Sequence, residues 1–548
     1  MSSYFIGVDV GTSSVRASVV NDVGAILSTC IHQINIWNPK PDYYQQSSEN
    51  IWINVSKAVK TAVSESAVAP DKIGGIGFDA TCSLVLLDSQ FQPVSISPTA
   101  EKDQNIIMWM DHRAQSQTDV INATKHQVLN TVGGVMSLEM QPPKLMWLKQ
   151  NLPQSWKSAC HFFDLPDFLT WRASGSLSRS LCSLVCKWGY QAGEDNQAWD
   201  DNFLSLIGLE DLADNGYTKI GIKTLSPGSP CGSGLSPQAA EDLGLVPGIP
   251  VGTSLIDAHA GALACLGCNP SCKSLVSDIE NCLVVIAGTS TCHVICSKSQ
   301  VSVPGVWGPY YSAILPAMWI NEGGQSATGQ LIDFVSTNHS AFATVKDKAE
   351  ISGHHVYEYL NAHLQLMADR ANLSNVASLT HTLHVWPDFH GNRSPLADVS
   401  MRGMVCGLSL SATEDDLALL YLATIQALAY GTKHIVSEME KSGHTIAIMF
   451  LCGGLRNNTL YLQTHADVLG LPVVLPNTEQ SVILGAAMLG ACASGQFSSL
   501  QTAMTAMGGQ GSVVNPDLSS CSFHQKKYNL FLEMMQDQRK YQKIMSDT

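Results

Sequence analysis

Charge of either sign is scarce in this 548-residue sequence: Asp, Glu, Lys and Arg together make up 14%, well below the usual share of about a quarter. That favours a large buried volume and argues against a disordered chain. Basic residues are the scarcer sign, with 31 Lys and Arg against 46 Asp and Glu and a net charge of −15. Without an excess of cations to neutralise phosphates, no nucleic-acid partner is expected. Long apolar runs are missing too. Stretches such as Ala447–Cys452 fall far short of the roughly 20 residues a membrane-spanning helix needs, so no membrane partner is expected either. Met1–Ile6 has no basic n-region and no cleavage site, and the expectation is a cytoplasmic protein. Cysteine, by contrast, is plentiful at 16; in a reducing compartment these read as free, mostly buried thiols. The tightest grouping, Cys265, Cys268 and Cys272, lacks a second pair at zinc-finger spacing and reads as small core residues.

A chain this long exceeds what one hydrophobic core usually serves, so two large domains are expected. Tyr4–Val10 reads as a strand, Gly11-Thr12-Ser13 as a tight turn and Val15–Val20 as a second strand. About half the chain length later the same arrangement returns: Cys282–Ala287, then Gly288-Thr289-Ser290, then Cys292–Cys296. A repeated Gly-Thr-Ser hairpin predicts duplicated domains. Between and after the hairpins, strands alternate with helices. Helical spacing is read over Glu49–Val63, Leu145–Gln150, Asp415–Met439, Asn458–Leu469 and Gln525–Lys543, and strands over Ile73–Phe78, Ser83–Asp88 and Ile446–Cys452. Pro227–Pro250 reads as a loop. The alternation is that of an α/β fold.

Phosphates are held by converging backbone N–H groups with no side chain in the way, which Gly-rich turns supply. Gly11, Thr12 and Ser13 offer such a turn, and Asp9 beside them is a carboxylate able to hold hydrated Mg²⁺. Gly288 and Thr289 offer the second, so that two hairpins facing across a cleft would clamp a nucleoside triphosphate. Gly453-Gly454 follows a buried strand, with Asn457 at the mouth of the next helix; glycines there let a flat purine approach the backbone. Asp257, in Ile256-Asp257-Ala258-His259-Ala260-Gly261, stands between an apolar strand end and a small-residue helix start. It can take a proton from a hydroxyl, cap the helix, or do both.

In this order the motifs resemble the FGGY carbohydrate kinases, relatives of glycerol kinase and xylulokinase. The likeness runs from Tyr4 to about Ala493 and includes Trp109-Met110-Asp111-His112-Arg113 and Gly288-Thr289-Ser290-Thr291. It implies two duplicated actin-like, ribonuclease H-like domains with a cleft between them: 1–265 on the sugar side and 280–548 on the nucleotide side. It also implies ATP and Mg²⁺ as cofactors, Asp257 as general base, and Gln325 with the glycine turns on the ATP side. Where glycerol kinases carry an Arg-Glu pair, this chain has Asp79-Ala80-Thr81-Cys82-Ser83-Leu84-Val85, which resembles the D-ribulokinase branch. That branch implies a sugar cradle of the Ala80 backbone, Asp111, Lys187, Asp257 and Glu322. Asp111 and Arg113 also read as a structural ion pair, His259 as a core or supporting histidine, and Trp109 as either a core ring or a sugar platform. The expected reaction is ATP-dependent phosphorylation of D-ribulose. L-ribulose, ribitol and D-xylulose are the alternative acceptors, a non-catalytic actin-like ATP-binding module is the rival of another class, and the question of a homo-oligomer is left open.

Overall fold

The computed structural model describes residues 3–271 and 278–546; Cys272, named above, lies outside them. Two mixed sheets organise the chain. The first is built from β1 (Tyr4–Val10), β2 (Ser14–Asn21), β3 (Ile26–Gln33), β4 (Ile73–Ala80) and β5 (Val251–Ile256), in the order β5-β4-β1-β2-β3. β1 pairs antiparallel with β2 and parallel with β4, and β5 runs parallel to β4. β1 and β5 are almost wholly buried, as strands covered on both faces must be, and so they read as continuous apolar runs.

The second sheet repeats that order. β6 (Cys282–Ala287) pairs antiparallel with β7 (Thr291–Ser297) and parallel with β10 (Ile448–Cys452). β9 (Trp319–Gln325) lies beyond β7, and β11 (Val473–Pro476) beyond β10, giving β11-β10-β6-β7-β9. β8 (Trp307–Tyr311) and β12 (Gln510–Val514) extend its two sides. The duplication expected from the Gly-Thr-Ser repeat is therefore present as a repeated topology. The two hairpins are not identical, however. Val10 pairs with Val15, whereas Ala287 pairs with Thr291, so the second turn is one residue shorter.

The helices fall where the apolar spacing predicts them, all but α4 a little longer than read: α1 (Ser48–Ser66), Gln141–Asn151, α3 (Glu414–Lys441), α4 (Thr459–Leu469) and α6 (Cys521–Ser546). One reading needs correction. Pro227–Pro250 is not all loop, because Pro237–Leu243 is helical: Ser236 accepts from Ala239 N, Pro237 opens the helix, and Gly244 closes it in the left-handed region. The strands read at Ile73–Phe78 and Ser83–Asp88 are present as Ile73–Ala80 and Leu84–Leu87, the second in a separate four-stranded sheet.

Two helices stitch the halves together. α2 (Asp257–Leu266) leaves β5 and packs on β6 and β10 of the second sheet, while α5 (Ser481–Ala493) packs back across β1, β4 and β5. The first sheet receives α5 through a row of cross-strand neighbours, Gly7, Gly77 and Gly252. A Cβ on Gly7 would lie 2.2 Å from the Ile483 carbonyl oxygen, on Gly77 2.0 Å from that of Ala486, and on Gly252 2.5 Å from that of Leu489. Gly485 stands in the same relation to α2, with 2.0 Å to the Ala260 oxygen. In each case backbone meets backbone, and no side chain can yield. Gly77→Ala is expected to lower stability by about 1–3 kcal/mol through overpacking, visible as a reduced melting temperature. Gly193→Ala, whose new methyl meets only the Trp319 ring at 3.9 Å, should leave the melting temperature unchanged.

Candidate active site

The parallel strands β1, β4 and β5 end side by side, and their carboxyl ends carry the chemistry, as is usual for open α/β sheets. Asp9 and Asp79 are direct cross-strand partners on β1 and β4, and both are buried. Ile256 pairs with Ala80, so Asp257, the first residue of α2, follows directly beside the Ala80 backbone. Three carboxylates thus converge at one sheet edge. Arg16 forms an ion pair with Asp9, and neither oxygen of Asp79 receives a hydrogen bond. Burial, then the charges of Asp9 and Asp257, push the Asp79 carboxyl well above its ordinary range. Burial also raises Asp9, with Arg16 pulling the other way. Buried carboxylate oxygens without donors are what a hydrated divalent cation satisfies, so the residues present fit Mg²⁺.

Asp257 is half-buried and keeps one hydrogen bond at its own helix start, accepting from Ala258 N at 2.7 Å. Burial, followed by the negative charge of Asp9, pushes its carboxyl up to about 6. It is therefore a helix-end residue whose carboxyl ionises closer to neutrality than an ordinary aspartate, as the expected base role asks.

Beyond Asp257 lies a buried set of mixed charge. Glu322 on β9 is 3% exposed, accepts from His259 Nε2 at 2.9 Å and pairs with Arg393. Burial opposes its charge, but Lys187, His259 and Arg393 together hold it well below the ordinary range. Lys187, at the end of the helix Leu181–Lys187, is also 3% exposed. Its Nζ lies 4.2 Å from the Trp307 ring centroid, and Arg393 lies 3.8 Å from the same centroid. Burial works against the Lys187 ammonium, and the surrounding Cys82 and Glu322 more than offset it. Arg393 also reaches Glu139 of the first half at 3.6 Å.

The turns expected to hold phosphate sit nearby. Thr12 Oγ1 accepts from Trp109 Nε1 at 3.1 Å, and the Thr12 carbonyl accepts from Gln46 Nε2 at 2.9 Å; Ser13 is exposed. Trp109 is thereby a brace for the first hairpin. The second hairpin is braced by Thr328, whose Oγ1 donates to the Gly288 carbonyl at 3.0 Å, while Thr289 stays exposed. Gly453 has φ +92°, and a Cβ there would meet the Ala287 oxygen at 2.4 Å. Only glycine fits, and the Gly453-Gly454 turn is thus held directly against the second hairpin. Gln325 lies opposite Thr291 across β7 and β9, and its Nε2 donates to the Leu428 carbonyl at 2.9 Å. Gly454 and Asn457 are exposed; the residue that caps α4 is the next one, Asn458, which accepts from Tyr461 N.

Asp111 stands apart. Its Oδ1 accepts from Arg113 N and Nε, and its Oδ2 from Tyr44 N and Arg113 Nη2, all at 3.0 Å or less, and it is wholly buried. With both oxygens doubly engaged it acts as a structural ion pair and offers a sugar no acceptor, which corrects its placement in the cradle. Sequence reasoning missed Asp79, whose signal was its position opposite Asp9, and Arg393, for which the sequence carries no comparable signal.

Fold and site together define a two-domain sugar kinase. Models of the FGGY family of carbohydrate kinases match residues 4–264 with its N-terminal domain and 283–494 with its C-terminal domain. The chain belongs to that family. It is 52% identical over 548 residues to the FGGY carbohydrate kinase domain-containing protein of Homo sapiens, covering 99% of this chain and 98% of that one. It is 40% identical over 518 residues to a D-ribulokinase of Saccharomyces cerevisiae, covering 90% of this chain and 72% of that one. Among solved structures, xylulose kinase from Rhodospirillum rubrum superposes with a TM-score of 0.76 at 19% identity, over 98% of this chain and 99% of that one, a likeness of fold. Kinases of this family use ATP, typically with Mg²⁺. Among the described residues no helix is long and apolar enough to cross a membrane.

Replacing Asp257 by Asn should lower kcat by about 10²–10⁴-fold while ATP and sugar still bind. With Asp257 as the expected base, the deprotonated carboxylate is the active form. kcat/KM should therefore fall as pH drops through about 6, and that acid limb should vanish in Asp257→Asn.

Proposed function

We propose that the protein transfers the γ-phosphoryl group of ATP to the terminal C5 hydroxyl of D-ribulose, giving D-ribulose 5-phosphate and ADP. The observation that carries this reading is the pair of buried charged side chains Lys187 and Glu322 together with half-buried Asp257, which follows the β5 residue paired with Ala80. A sugar offers only hydroxyls and a carbonyl, and charged hydrogen-bonding partners reject the wrong epimer when one of them is left unpaired. The 40% identity to a yeast D-ribulokinase and the Thr81-Cys82-Ser83-Leu84-Val85 segment support D-ribulose over its isomers.

In this reading Asp257 takes the proton of the C5 hydroxyl as that oxygen bonds to the γ-phosphorus, and the bond to the β-phosphate oxygen breaks to release ADP. Lys187 and Glu322 orient the sugar, and Asp257 aims its reacting oxygen. Gly11, Thr12, Ser13, Gly288 and Thr289 present amides and hydroxyls to the phosphates from two sides, with Gly453, Gly454, Asn457 and Gln325 on the nucleotide side. Asp9, with Asp79, would hold Mg²⁺, which neutralises phosphate charge when bound. The first 265 residues carry the sugar side and 280–548 the nucleotide side, with closure between them excluding water as an acceptor. A cytoplasmic location accords with this substrate pair.

The test is ADP release with Mg-ATP and a panel of D-ribulose, L-ribulose, D-xylulose, ribitol and glycerol. The expected result is a kcat/KM for D-ribulose at least about tenfold above the others. Preference for another sugar keeps the kinase and overturns the pocket assignment. Absence of any sugar-stimulated turnover overturns the enzyme in favour of a non-catalytic ATP-binding module.

A further inference from the structure

Behind the sugar-side trio lies a cluster that phosphoryl transfer does not use. Cys182 and Cys186 are four residues apart on the helix Leu181–Lys187, so their thiols share one face. His259, on the first turn of α2, points at them, with Cys182 Sγ 3.1 Å from Nδ1. The donor atoms of all three residues lie within 4.8 Å of one another, and all three are buried. The other ring nitrogen, Nε2, faces the Glu322 carboxylate at 2.9 Å. An imidazole with one nitrogen held by a carboxylate and the other turned toward thiols is the arrangement that orients metal-ligating histidines.

We propose that Cys182, Cys186 and His259 form a binding site for a thiophilic divalent ion of the Zn²⁺ class, with Glu322 orienting the histidine from behind. Two sulfurs and one imidazole nitrogen suit a soft or borderline ion and not Mg²⁺, which takes oxygen ligands. The site is thus chemically separate from Asp9 and Asp79. Around a tetrahedral ion, adjacent sulfur and nitrogen donors stand about 3.6 Å apart, so Cys182 and His259 need to part by about half an ångström from their present contact. Binding replaces the proton between Cys182 and His259 Nδ1 and that of the Cys186 thiol, and both leave to solvent. Because Glu322 serves both the histidine and the sugar side, occupancy of this site is coupled to sugar binding. The coupling rests on the proposed function, whereas the metal-site proposal stands whichever sugar the protein phosphorylates.

The experiment uses the full-length chain, reduced and stripped with a chelator, then titrated with Co²⁺ and with Zn²⁺ against a chromophoric competitor. Expected are one ion per chain, thiolate-to-cobalt charge-transfer absorption, and an X-ray absorption spectrum of the Zn²⁺ form with two sulfurs near 2.3 Å and one imidazole nitrogen near 2.0 Å. Cys182→Ser and Cys186→Ser should each weaken binding at least about tenfold, and Glu322→Gln by about 10–100-fold, while Cys160→Ser changes nothing. A shell of nitrogen and oxygen only, a four-sulfur shell, no stoichiometric binding, or unchanged affinity in either serine variant overturns the proposal. The absorption spectrum needs no substitution, so it decides the matter even if a variant fails to fold.

Discussion

Everything at the active site hangs on how closely two backbones approach one another. α5 lies on the first sheet with nothing between them but the hydrogens of Gly7, Gly77 and Gly252, and α2 crosses α5 at Gly485 with the same intimacy. This draws α2, whose first residue is Asp257, under the ends of β6 and β10. A Cβ added to Gly261 on α2 would lie 3.6 Å from Cys452 Sγ and 3.5 Å from Ile286 in that second sheet. Asp257 therefore sits between the carboxylates of one sheet and the glycine turns of the other. A bulkier seam would separate the acceptor side from the phosphate side, and positioning within about an ångström is most of what phosphoryl transfer asks of a protein.

Electrostatics complete what packing begins. On one side of Asp257 the carboxylates of Asp9 and Asp79 are crowded and short of cations; on the other, Lys187 and Arg393 flank Glu322 around Trp307. A few fixed charges of opposite sign, separated by one residue, divide the cleft into a cation-seeking side and a side suited to neutral polar ligands. Arg393 reaches Glu139 and Glu322 from opposite halves of the chain, so the polar site and the domain junction are made partly of the same groups.

Much of this was legible in the sequence. The strand ends at Val10 and Ala287, the repeated Gly-Thr-Ser turns and the small-residue start of α2 follow from local pattern, and local pattern carries to topology once the repeat is noticed. The helix at Pro237–Leu243 was equally legible from Ser236, Pro237 and Gly244, but its Pro/Gly-rich surroundings masked it. What was out of reach depends on pairing between distant segments. That Asp79 stands opposite Asp9 is a matter of strand register. The Asp111–Arg113 ion pair was read from two neighbouring positions, but the donation from Tyr44 N that completes it comes from 67 residues away. The approach of Arg393 to Glu322, 71 residues earlier, has no local signature at all.

The helix that completes the first sheet comes late in the chain. While the protein is being synthesised, β1, β4 and β5 are made long before Ser481–Ala493 emerges, and until then the glycine row is a bare apolar face in water. The N-terminal half cannot reach its final packing as an independent unit, and its last stage of folding has to wait for nearly the whole polypeptide. Contacts between such distant segments form slowly and leave exposed surface open to association in the meantime. A polypeptide released early, short of residue 481, would retain every strand of the first sheet and still lack the helix that packs on it.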